Sequence, residues 1–86
     1  MTQIKELDGA KVLFKTKNDR SRCFGLVDRH RITALAICQY PDDPSVTYVF
    51  ACDRHWKVVG DLAFSSVSEA KDSALEYYGQ ADIQWL

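Results

Sequence analysis

No apolar run in this chain approaches the roughly 18 residues that a membrane-crossing helix needs. The opening Met-Thr-Gln-Ile-Lys-Glu has no apolar h-region, so no secretory leader is expected there. Cysteine is scarce and odd in number: Cys23, Cys38 and Cys52 stand far apart. An extracellular disulfide framework wants an even set at higher density. Free thiols acting as small hydrophobes in a reducing, cytoplasmic setting are expected instead. Neither Cys-x-x-Cys nor His-x-x-x-His occurs, so no zinc site is expected. Serine and lysine appear in no Gly-x-Ser-x-Gly or phosphate-loop context, and Gly25 and Gly60 are isolated. The net charge of −1 gives no global pull toward nucleic acid or an anionic membrane. The chain is therefore read as non-enzymatic, with no catalytic residue, metal or cofactor and no membrane contact.

What the chain has is a core supply. Eighty-six residues make one domain, and ten aromatics support a core without metal or disulfide. Charge is uneven along the chain. Residues 1–31 hold eight basic and four acidic side chains, while residues 61–86 hold one basic and five acidic.

Residues 32–61 read as three consecutive strands that are apolar on both faces. One face carries Ile32, Ala34, Ala36, Cys38, Tyr40, Val46, Tyr48, Phe50, Cys52, Trp56 and Val58; the other carries Leu35, Ile37, Val49, Ala51 and Val59. The run 31–40 is broken by Pro41-Asp42-Asp43-Pro44-Ser45. The β-branched and aromatic run 46–52 comes next, and then a strand over 56–62. Pairing Tyr40 with Val46 sets Cys38 opposite Tyr48, Ala36 opposite Phe50 and Ala34 opposite Cys52, small against large. Upstream, 11–16 alternates as a strand after an Asp8-Gly9 turn. A weaker strand over 22–27 is interrupted by Gly25.

One helix is expected. Ser66 and Glu69 have the capping-box spacing. Val67, Ala70, Ala74, Tyr77 and Tyr78 form its stripe, and Gly79 suits its C-terminal end. Ile83, Trp85 and Leu86 imply a tail that folds back.

The tripeptide Asp-Arg-His occurs twice, at 28–30 and 53–55, and holds the only two histidines. Two reversals separate the copies, which puts both at one end of a meander. An Asp and a His per loop offer an acid–base pair or metal ligands. Turn chemistry alone also selects such residues. At 53–55 a three-residue hairpin loop is expected, with His55 as its left-handed residue. Lys11, Lys15, Lys17, Arg20, Arg22, Arg29 and Arg31 crowd the first strands. With Phe14 and Phe24 interleaved, they suggest nucleic-acid contacts, Lys11, Lys15, Lys17, Arg20 and Arg22 foremost.

Residues 46–79 carry Cys52-Asp53, a turn, a Trp56-led strand ending in Gly60-Asp61, and a helix opening Ser-x-x-Glu-Ala and ending near Tyr78. This stretch resembles small uncharacterised bacterial α+β proteins, some of them similar to immunity proteins that bind and neutralise a toxin. The resemblance implies a protein partner and transfers no catalytic residue.

The expected fold is α+β: an antiparallel meander of about five strands with one C-terminal helix packed on one face. The helix is expected on the side of Tyr48, Phe50, Trp56 and Val58. Leu35, Ile37, Val49, Ala51 and Val59 then remain for a protein partner or a homodimer. The alternative is a nucleic-acid-binding domain led by the basic N-terminal hairpin.

Overall fold

The computed structural model describes residues 4–19, 21, 23–78 and 83–86. Among the described residues, seven strands precede one helix: β1 (Glu6–Leu7), β2 (Ala10–Lys15), β3 (Gly25–Val27), β4 (His30–Ile32), β5 (Ala34–Tyr40), β6 (Asp43–Cys52), β7 (Val58–Phe64) and α1 (Val67–Tyr78). Five of them form a curled antiparallel sheet in the order β1-β2-β5-β6-β7. The α+β class and the C-terminal helix are as the pattern predicts. The meander is interrupted, however: β3 and β4 leave the sheet as a separate two-stranded ribbon, and β2 pairs directly with β5. Gly25 begins β3 rather than interrupting it.

The register between β5 and β6 follows from volume complementarity. Ala34 pairs with Cys52, Ala36 with Phe50 and Cys38 with Tyr48, as expected. The turn between these strands is tighter than the proline-rich stretch suggests, because Tyr40 pairs with Asp43 through a local irregularity. Pro44 is tolerated because pairing of β6 with β7 starts only at Thr47.

Both sheet faces are covered, and the helix takes the opposite side from the one expected. Ala70 and Ala74 of α1 pack with Leu35, Ile37, Val49 and Ala51, joined by Phe24 and Ile32 and flanked by Phe14, Val27, Val59 and Tyr78. The β5 and β6 members of this cluster are all aliphatic, and two small alanines bring the helix close to them. The tail closes the same cluster through Ile83 and Trp85, and the Leu86 N–H bonds the Lys15 carbonyl at 2.7 Å. The other face carries the bulk. Phe50 lies among Ala34, Ala36, Cys38 and Cys52, and the N-terminal Leu7 and Ala10 are buried in the same cluster. Ile4, Val12, Tyr40, Tyr48, Trp56 and Val58 flank it. Tyr40 meets Tyr48 edge-on at 5.4 Å between ring centroids.

The first turn of α1 obeys the capping logic with one shift. The Glu69 N–H donates to Ser66 Oγ at 3.1 Å, but the Glu69 carboxylate accepts from the Ser65 N–H, also at 3.1 Å, one residue earlier than expected. Gly79, the expected end of the helix, lies outside the described residues.

The ribbon docks on the sheet at one close approach. A Cβ on Gly60 would stand 3.3 Å from Val27 Cγ1, so glycine there leaves room for the seat of the ribbon. This contact brings the β3–β4 turn to the same end of the molecule as the β6–β7 turn.

Candidate functional site

Residues from both Asp-Arg-His segments line one cleft. Arg29, His30 and Arg31 come from the ribbon, and Asp53, Arg54 and His55 from the β6–β7 turn, with Thr33 also lining a cleft of about 380 Å³. All three arginines and both histidines are exposed, whereas Thr33 is buried.

Identical tripeptides make different turns here. In the ribbon, Val27 pairs with His30, and both intervening residues have positive φ, 49° at Asp28 and 70° at Arg29. This is the type I′ pattern of a two-residue hairpin. At the other turn Asp53 precedes the loop. Its N–H donates to the Lys57 carbonyl and its carbonyl accepts from the Trp56 N–H, both at 3.0 Å. The loop is therefore Arg54-His55-Trp56, one residue later than expected, and Trp56 rather than His55 takes the left-handed position with φ 62°. A left-handed side chain costs roughly 1–2 kcal/mol. Trp56 packs against the Phe50 cluster. Burying on the order of 100 Å² of indole contributes roughly 2–3 kcal/mol, which outweighs that cost.

The Asp53 carboxylate holds its own turn. Oδ1 accepts the His55 N–H at 2.8 Å and the Lys57 N–H at 3.0 Å. Partial desolvation alone would raise this carboxyl. The two N–H donors, with the Lys57 charge beside them, outweigh it and hold the group below the usual carboxylate range. Asp53 bonds backbone rather than imidazole, and His55 Nε2 instead accepts from Arg54 Nε at 3.2 Å.

The floor of the cleft is tied down by Asn18. Its Nδ2 donates to the Asp53 carbonyl at 2.9 Å, its Oδ1 accepts from Thr33 Oγ1 at 2.6 Å, and the Thr33 N–H donates to the Cys52 carbonyl at 3.0 Å. Three chain segments are locked together beneath the arginines. Asn18 and Thr33 were not legible as site residues, because their partners lie 35 and 15 residues away. The repeated tripeptide was the visible signal, and Arg31 belongs with it.

The other expected sites fare differently. Leu35, Ile37, Val49 and Ala51 are 0% exposed and Val59 is half-buried, all in the cluster beneath α1. That face is closed by the helix and is no contact surface in this fold. Lys11 is exposed on β2, Lys15 is half-buried, and Lys17 lines a separate cavity of about 130 Å³ with Asp19, Gln84 and Leu86. Arg20 and Arg22 lie outside the described residues. Neither expected ring is free to stack on a base: Phe24 is buried, and Phe14 packs in the core with Lys71 Nζ 3.9 Å from its centroid. Burial pushes the Cys38 and Cys52 thiols up to about 12, which leaves them protonated and inert at neutral pH.

Among the described residues, no group of three or more His, Cys, Asp or Glu is arranged to hold a metal ion, and no helix is long and apolar enough to cross a membrane. No protein-family model, curated protein or solved structure matches the chain.

Proposed function

We propose that this chain is a non-enzymatic, cytoplasmic protein-binding module, immunity-like in kind, which grips an acidic partner with the cationic cleft. The observation that carries this reading is three arginines, two from the ribbon and one from the β6–β7 turn, lining one cleft over a floor fixed by Asn18, with the one lining carboxylate among the described residues engaged by backbone. Arginine is the residue suited to planar, two-pronged contact with carboxylates, and a preset floor lowers the ordering cost of binding. The bonding of Asp53 to amides, and of His55 to Arg54, supports binding over proton transfer, because among the described residues no carboxylate orients an imidazole at this site. With the aliphatic face closed by the helix, Leu35 and Val49 offer no surface to a partner or a second copy.

The test is affinity purification from the native host with two baits, the wild-type chain and an Arg31→Glu/Arg54→Glu variant. An acidic protein retained by the first, released by salt and lost from the second is expected. Equal recovery on both baits would contradict the assignment of the cleft. Recovery of nucleic acid in place of protein would contradict the protein-binding reading and favour the alternative, a nucleic-acid-binding domain.

A further inference from the structure

We propose that the group received in this cleft is a phosphate monoester; the proposal rests on the cleft being the contact surface. The charge inventory points there first. Among the described residues, Arg29, Arg31 and Arg54 line the cleft, no lysine does, and Asp53 is its one carboxylate. About two positive charges remain before the imidazoles are counted. A carboxylate side chain or a phosphodiester carries one negative charge and offsets half of that. A phosphate monoester carries about −1.5 to −2 at neutral pH, with three acceptor oxygens.

Donor geometry points the same way. Guanidinium forks match phosphate oxygens two at a time, which ammonium groups do not. Arg54 commits its Nε to His55, and its two terminal nitrogens remain as a fork. The 380 Å³ of space lies in the range of about 300–1,000 Å³ usual for small-molecule sites and leaves room for whatever bears the phosphate. The Thr33–Asn18–Asp53 linkage sets the floor before the ligand arrives.

The experiment is a set of amide 1H–15N titrations of the full chain at low ionic strength. The probes are inorganic phosphate, a phosphoserine peptide, a nucleoside monophosphate, and a glutamate peptide as the carboxylate control. Saturable shifts confined to residues 29–33 and 53–57 are expected, with the best phosphate probe at least about 10-fold tighter than the glutamate peptide. The ranking of the three phosphate probes then names the source. Arg31→Gln and Arg54→Gln should each weaken binding about 10-fold, and Lys11→Gln should leave it unchanged. Arg54→Lys, which keeps the charge and loses the fork, should also weaken it. A glutamate peptide that binds as tightly as the phosphates would overturn this proposal and leave the protein-binding reading standing. An oligonucleotide without a terminal phosphate, titrated as a fifth probe, that binds equally well would overturn it in favour of a diester reader. No response at the cleft to any probe would sink both.

Discussion

The two Asp-Arg-His turns share every residue and almost nothing in conformation. At 28–30 the first two residues are themselves left-handed, and Arg29 holds φ 70° while exposed. At 53–55 the aspartate stands outside the loop as its clasp, and the left-handed position passes to Trp56, where burial offsets the strain. The residues just after each tripeptide decide between the two forms. Arg31 and Ile32 continue straight into a strand paired with β3, which forces a two-residue reversal. Trp56 and Lys57 add length and an apolar anchor, which permits a three-residue loop. The β1–β2 turn sharpens the contrast. Asp8-Gly9 has the same double-positive pattern as Asp28-Arg29, with glycine where the ribbon has arginine. The ribbon thus carries backbone strain that the first turn avoids, in a residue whose side chain lines the cleft.

Breaking the clasp of one turn and not the other has the largest expected effect. Asn18→Ala removes the partner of the buried Thr33 hydroxyl and of the Asp53 carbonyl, and it touches only the second turn. A loss of about 1–3 kcal/mol in chemical denaturation is expected. Amide shifts should spread through 53–57 more than through 28–30.

Arg29→Gly should act in the opposite sense on stability. Relief of roughly 1–2 kcal/mol of left-handed strain is partly cancelled by the added freedom of glycine in the unfolded chain, about 0.5–1 kcal/mol. A net gain of about 0.5 kcal/mol is expected from that difference, together with weaker anion binding. A variant both less stable and unimpaired in binding would mean that Arg29 is there for the fold.

The smallest effect concerns acid. The carboxyl of Asp53 is depressed in the folded state, so its contribution is present above the ordinary aspartate pKa of about 3.9 and is lost as pH falls through the lower, folded value. Asp53→Asn keeps an acceptor oxygen without the titration. Melting temperatures between about pH 2 and 5 should therefore fall less steeply for this variant than for the wild type.

Much of the architecture was legible because it depended on neighbours in sequence. The Asp8-Gly9 turn, the Ser66 cap and the pairing of Ala36 with Phe50 and Cys38 with Tyr48 each come from a few local residues and their volumes. Periodicity correctly assigned Leu35, Ile37, Val49 and Ala51 to one face. It did not reveal which face the helix would choose, because that depends on Phe50, Tyr48 and Trp56 being closed over by Leu7 and Ala10 from the far N-terminal end of the chain. The departure of the ribbon was hidden for a similar reason: its seat is the contact of Val27 with Gly60, invisible in either segment alone. The cleft was half legible. The repeated tripeptide and the even number of reversals placed both turns at one end, while the Asn18 clasp rests on partners 35 and 15 residues away and the one-residue shift of the second loop on the packing of Trp56.

The central claim, that the paired turns form one anion-binding surface, is tested most directly by mapping amide shifts as poly-L-glutamate is added at low salt. Perturbations centred on residues 29–33 and 53–57, reversed by added salt, are predicted. Perturbations centred on Lys11, Lys15 and Lys17, with the two turns silent, would contradict it.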